Sequence, residues 1–186
     1  MPQEPSQIEL ITTRLVGNIL PGFYREYVYQ LPIKEQDHIL DYGSGSGNCS
    51  KYLAKRLSDH GHLTCVDISR RWHNEIQKRL KKSGNVSFIL GKIENMNLSE
   101  SSFDGIFIHY VLHDIPESQR KSRIAFLAAL VKPGGKIYIR EPENPNHGIS
   151  ELEIHNLLFH AGLSKISVTR AAHPLAGKFT QAIYQK

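Results

Sequence analysis

Two carboxylates and three glycines are spaced for ligand chemistry. Asp41 ends a short apolar run, and Gly43, Gly45 and Gly47 follow at alternate positions. Asp67 ends the next apolar run. Glycine accepts positive φ and lets another backbone or a ligand come close. A glycine turn between a strand and a helix N-terminus is a common nucleotide site. The spacing narrows the choice of nucleotide. A dinucleotide fingerprint reads Gly-x-Gly-x-x-Gly, whereas here the third glycine comes one residue early. No Gly-Lys-Ser/Thr follows, so a phosphate-binding P-loop is excluded. Asp41 would repel a pyrophosphate and would attract an ammonium group.

The elements that must position these groups follow from the pattern. Residues 1–34 read as two helical segments broken at Pro21-Gly22, an N-terminal lid whose Tyr24 and Tyr27 could reach over the site or pack below it. From 35 onward strands and helices alternate. His38–Tyr42 is strand one, Ser50–His60 a helix, His62–Asp67 strand two and Ser69–Lys82 a helix capped by Ser69. Val86–Leu90 is strand three, followed over Asn95–Ser102 by a polar loop with at most one turn of helix. Asp104–His109 is strand four, Pro116–Val131 a helix stopped by Pro133-Gly134-Gly135, and Lys136–Arg140 strand five. Ser150–His160 is a helix, and Lys165–Thr169 and Phe179–Tyr184 are two strands joined only by a loop of about ten residues. Strands linked through helices lie parallel, and two strands linked by a loop pair antiparallel. The fold class expected is α/β: a doubly wound, Rossmann-like seven-stranded sheet, mostly parallel, with one antiparallel strand near the edge. The 186 residues are read as a single domain, with 35–186 as its nucleotide-binding core.

Ile39-Leu40-Asp41-Tyr42-Gly43-Ser44-Gly45-Ser46-Gly47 resembles the first motif of class I S-adenosylmethionine-dependent methyltransferases. Leu63–Ser69 resembles that family's second strand, and Gly91–Asp104 its adenine loop running into strand four. Val111-Leu112-His113-Asp114-Ile115-Pro116 resembles the Leu-His-Asp stretch after strand four. Leu130–Lys136 resembles the turn before strand five. Each motif alone is weak or moderate, but five in order point strongly to a methyltransferase-11/25-like chain. The resemblance implies S-adenosylmethionine as cofactor and S-adenosylhomocysteine as product. It also implies roles. Asp41 meets the methionyl ammonium, Gly43, Ser44, Gly45 and Gly47 admit the methionine, and Asp67 takes the ribose hydroxyls. Ile68 and Ile93 sandwich the adenine, and His109 borders the cofactor. Lys92 departs from the family's usual acid after the adenine-loop glycine, so Glu94 or a backbone carbonyl must substitute.

Methyl transfer from a sulfonium needs alignment, plus a base if the nucleophile is protonated. His109, Tyr110, His113 and Asp114 follow strand four. His113 is the candidate base. The alternative is a histidine that orders its loop. His109 and His113 stand four apart, a metal-type spacing, but no third ligand is evident and no metal is expected. The chain has no Asn/Asp-Pro-Pro-aromatic motif of the kind that resemblance associates with methylation of amide or base nitrogens. A small-molecule acceptor is expected, with O-, N- or C-methylation left open; an RNA or protein methyltransferase and a non-catalytic cofactor-binding protein are the alternatives.

Composition bounds the rest. Arg70, Arg71, Lys78, Arg79, Lys81 and Lys82 crowd one helix and contribute much of the net charge of +5. They read as a solvated face, without the interleaved aromatics of a nucleic-acid surface, and nucleic acid is not an expected partner. Cys49 and Cys65 show no metal spacing and read as reduced and buried. No apolar stretch reaches about 18 residues, so no membrane span is expected. The polar start is unlike a signal peptide. A cytoplasmic monomer or homodimer is expected.

Overall fold

A computed structural model describes residues 4–144 and 147–186. The strands are β1 (His38–Tyr42), β2 (His62–Asp67), β3 (Val86–Leu90), β4 (Phe103–His109), β5 (Val131–Pro142), β6 (Ser164–His173) and β7 (Gly177–Gln185). The helices are α1 (Gln7–Ile19), α2 (Pro21–Gln30), α3 (Ser50–Arg56), α4 (Arg70–Leu80), α5 (Glu117–Leu130) and α6 (Glu151–His160). The strands form one mixed sheet in the order β3-β2-β1-β4-β5-β7-β6. β1 with β2, β2 with β3 and β4 with β5 pair in parallel, whereas β7 runs antiparallel to both β5 and β6. This is the doubly wound, Rossmann-like sheet expected, with its one reversed strand beside the edge. Contacts divide the chain into two compact units, Met1–Met96 and Asn97–Lys186.

In the first unit, Ile39, Leu40, Asp41 and Tyr42 are all buried. Burial on both strand faces is the mark of a parallel strand covered on each side. α1 opens with a capping box in which Ser6 and Glu9 satisfy each other's backbone N–H groups. Ser69 caps α4 by accepting from the Trp72 N–H. In the second unit, α5 lays Ile124, Leu127, Ala128 and Leu130 inward, and Ile106, Phe107, Ile108, Ile137, Tyr138 and Ile139 are fully or nearly fully buried.

Several boundaries differ from the sequence reading. α3 stops at Arg56 instead of running to His60, because the Ser58 N–H and hydroxyl both reach the Glu35 carbonyl and draw the chain out of the helix. β5 begins directly at Val131, and Pro133-Gly134-Gly135 is an interruption inside the strand, not a turn before it. The register shifts there, and Gly134 takes a φ of +78° that glycine adopts without cost. The last two strands are longer than expected and meet in a tight hairpin, with His173 opposite Gly177. A single turn of 3-10 helix at Ile93–Asn95 starts ahead of the loop expected over 95–102. Cys49 and Cys65 are buried free thiols. Among the described residues, no helix is long and apolar enough to cross a membrane.

Candidate active site

The glycine turn hangs from the end of β2. The Gly43 and Ser44 N–H groups both donate to the Val66 carbonyl. Gly43, Gly45 and Gly47 have φ of +71°, +52° and +77°, a region that other residues reach only at a cost. Gly47 is also short of room, since a Cβ there would stand 2.8 Å from Ile76.

Asp67 is buried and holds the turn. Its carboxylate accepts from the Gly45 N–H at 2.8 Å and from the Ser69 N–H at 2.9 Å. Burial pushes its pKa above the ordinary carboxylate value, against the opposing pull of those two N–H groups. Asp41 is 2% exposed. Burial, with the Asp67 charge adding, raises its pKa to about 7, although the Ser50 hydroxyl donates to it at 2.5 Å. A buried carboxylate so short of charge compensation gains most from an arriving cation.

The remaining residues of this cluster divide. Ile68 is 46% exposed and offers apolar surface beside Asp67, whereas Ile93 is fully buried. Lys92 and Glu94 are both exposed. Tyr24 and Tyr27 are buried packing residues of the first unit. The N-terminal segment makes a contact that spacing does not reveal. Glu4 accepts from the Ser69 hydroxyl at 2.6 Å and from the Arg70 and Arg71 N–H groups, and Arg71 donates to the Pro5 carbonyl. Arg79 donates to Asn48, and Lys78 faces Glu75. Part of the basic helix thus has partners inside the chain.

The turn fits the cofactor that the motifs imply. The Ser44 hydroxyl is buried with no hydrogen-bond partner among the described residues, a state that costs free energy until a ligand group meets it. A Cβ on Gly45 would meet nothing nearer than the Gly43 carbonyl at 4.0 Å. Its α-carbon therefore borders open space that only glycine leaves free. Asp67 keeps acceptor capacity beyond its two N–H bonds.

The second unit carries the histidines. The chain leaves β4 through Tyr110, whose φ of +57° is strained for a bulky residue. Such strain gathers at functional sites. His109 stacks on Tyr110, with centroids 4.5 Å apart. Burial, with Arg140 adding, pushes its pKa down to about 3, so it is a neutral ring. His113 is held differently. Its Nδ1 lies 2.7 Å from Oε2 of Glu141. A carboxylate only accepts, so Nδ1 carries a proton, and in the neutral ring Nε2 keeps the lone pair. Burial lowers the pKa of His113, but the hydrogen bond and charge of Glu141 outweigh it and leave the value above that of an ordinary histidine. Glu141 is fully buried, and its Oε1 accepts from the Val111 and Leu112 N–H groups at 2.8 Å each. Arg120 braces the same loop through the His113 and Ile115 carbonyls and pairs with Glu153.

Sequence reasoning missed Glu4, Ser50, Glu141 and His147. Glu141 left one trace, a charged Arg-Glu pair following the apolar Ile137-Tyr138-Ile139. His147 left none.

Comparison with known proteins identifies the family. A family model described as a methyltransferase domain matches residues 39–135, just over half of the chain. Among curated proteins, the ubiquinone/menaquinone biosynthesis C-methyltransferase of Wigglesworthia glossinidia brevipalpis is 27% identical over 63% of this chain and 48% of its own length. The protein of that name from Rickettsia prowazekii is 30% identical over 67% and 51%. The chain thus spans about half the length of these relatives. A solved methyltransferase from Aquifex aeolicus superposes with a TM-score of 0.73 at 21% identity, covering 91% of this chain and 90% of its own. The N-methyltransferase NodS of Bradyrhizobium japonicum, solved with S-adenosylhomocysteine, gives 0.68 at 19% identity over 81% and 78%. The chain belongs to the methyltransferase-domain family, within the class I S-adenosylmethionine-dependent methyltransferases.

Proposed function

We propose that the methyl acceptor is a small organic molecule and that His113 removes its proton. The pairing of His113 Nδ1 with Glu141 carries this reading. It fixes the ring and its tautomer, and leaves Nε2 as a proton acceptor of raised basicity. A positioned base of this kind is worth about 10²–10⁴ in rate. His109, by contrast, is too weak a base for the task. The names of the curated relatives, which refer to carbon methylation in quinone biosynthesis, also support a small acceptor.

Bound at the glycine turn, S-adenosylmethionine supplies a methyl group already activated on a sulfonium. Asp41 would answer the methionyl ammonium, Asp67 the ribose hydroxyls, and the Ser44 hydroxyl and the space before Gly45 would receive the methionine. Adenine would rest on the exposed side of Ile68. His113 would then take a proton from an acidic O–H, N–H or C–H as that atom becomes the nucleophile.

The test is release of S-adenosylhomocysteine from purified protein supplied with S-adenosylmethionine and a panel of phenols, enolisable carbon acids and amines. Turnover on a member of the panel, lost in His113→Ala while cofactor affinity holds, is the expected result. Tight cofactor binding with no turnover on any acceptor would favour a non-catalytic protein. Methylation of RNA, with strongly salt-dependent binding, would favour the polynucleotide reading. Arg71, Lys78 and Arg79 speak against that outcome, because each has a partner within the chain.

A further inference from the structure

We propose that His113, Asp114 and His147 form a binding site for one divalent first-row metal ion of the zinc type. Nε2 of His113 lies 3.5 Å from Oδ1 of Asp114, and Nε2 of His147 lies 3.6 Å from the same oxygen. All three donor atoms fall within 4.8 Å of one another. Ligand bonds of about 2.1 Å in a tetrahedral shell put neighbouring donors about 3.4 Å apart. Two edges of the triangle therefore already have the right length, and a small turn of an exposed side chain closes the third. His147 and Asp114 are free to make it, with side chains 69% and 62% exposed.

The donor chemistry agrees with the spacing. Two imidazoles and one carboxylate suit zinc, iron or cobalt and leave coordination positions open, as catalytic sites do. Metal-bound histidine almost always donates its second N–H to a carboxylate or carbonyl. His113 already does so, to Glu141, a carboxylate buried completely and anchored by two backbone N–H groups. The tautomer thereby fixed directs a lone pair at Nε2, the atom that faces Asp114. Nearby rings restrict His113 further: His147 meets it edge-on at 4.6 Å and Tyr110 at 6.3 Å. The three ligands come from the turn after β4 and from the segment after β5, which is why the sequence spacing of His109 and His113 pointed to no third partner. His109 takes no part.

Binding of the ion stands on these residues alone; its catalytic consequence rests on the small-acceptor reading. Ion and proton compete for Nε2. With the ion in place, an acceptor hydroxyl bound at an open position loses its proton to solvent and keeps the electron pair on oxygen, because the metal lowers its pKa. His113 then acts as a ligand and no longer as the base.

Untagged full-length protein, stripped with a chelator and rebuffered, should be titrated with Zn²⁺ by calorimetry and with Co²⁺ by visible absorption. One ion per chain is expected, with a Co²⁺ ligand-field band of low-coordinate type. His147→Ala and Asp114→Ala each remove an exposed ligand and should weaken binding at least about tenfold; Glu141→Gln, which disturbs the second N–H of His113, should do so by about 10–100-fold. His60→Ala, an exposed histidine elsewhere, should bind as the parent does. Absence of saturable binding at one ion per chain overturns the proposal. So do His147→Ala and Asp114→Ala proteins that bind as tightly as the parent, or an equal loss in His60→Ala. S-adenosylhomocysteine titrated into the same samples tests the cofactor site separately, so failure of one reading is distinguishable from failure of the other.

Discussion

Asp67 and Glu141 are two buried carboxylates built the same way and used differently. Each sits near the end of a strand, and each accepts two backbone N–H groups that would otherwise be stranded. Each thereby fixes the loop that follows or faces it. The difference is where the remaining acceptor capacity goes. Asp67 ends beside the glycine turn and keeps that capacity for a ligand. Glu141 is sealed from solvent and spends it on His113. In the function proposed above, one carboxylate binds the cofactor directly and the other acts through a histidine. The same chemical group therefore needs opposite tests, one reading affinity and the other reading the state of a ring.

The largest expected effect is on the indirect carboxylate. Glu141→Gln keeps an oxygen for the Val111 and Leu112 N–H groups but turns an amide N–H toward His113 Nδ1. The proton should move to Nε2, and turnover should fall by about 10²-fold or more. Nitrogen-15 NMR of the His113 ring reads the tautomer without any acceptor; an unchanged Nε2 lone pair would remove Glu141 from its role.

Asp67→Ala should weaken S-adenosylhomocysteine binding by about 1.5–3 kcal/mol, roughly 10–150-fold. Calorimetry checks it.

Asp41 gives a pH dependence between these extremes. Its folded pKa is raised from 3.8 to about 7, so the free protein holds a proton that the unfolded chain releases. The group's contribution to the stability of the free protein is present at low pH and is lost as pH rises toward 7. Cofactor binding runs the other way, since an ammonium favours the carboxylate. Affinity should fall about tenfold from about pH 8 to about pH 6. Affinity flat across that range would mean that Asp41 does not answer a cation.

The smallest effect belongs to Ser44→Ala. Removing a buried hydroxyl that has no partner among the described residues should leave the stability of the free protein unchanged or slightly higher. Binding of S-adenosylhomocysteine should weaken by about 0.5–1.5 kcal/mol, the worth of one hydrogen bond. Thermal melts with and without ligand separate the two.

The contrast between the two carboxylates also explains what was readable from the residues. Asp41, the three glycines and Asp67 lie within one local motif and the next strand, so spacing alone places them together. The alternation of strands and helices likewise yields the sheet and its reversed β7. Glu141 and His147 are 28 and 34 positions beyond His113 and reach it only through the β4–β5 pairing. No local period encodes such a meeting. The early end of α3 has the same origin, a hydrogen bond from Ser58 to distant Glu35. Ile93 shows what a motif leaves open: its position is local, but its full burial is decided by distant packing.

Side-by-side calorimetry of S-adenosylhomocysteine binding to the parent, Asp67→Ala and Glu141→Gln proteins tests the division of labour most directly. Asp67→Ala should lose about 10–150-fold in affinity while Glu141→Gln binds as the parent does. Unchanged binding in Asp67→Ala, or matching losses in both variants, would contradict it.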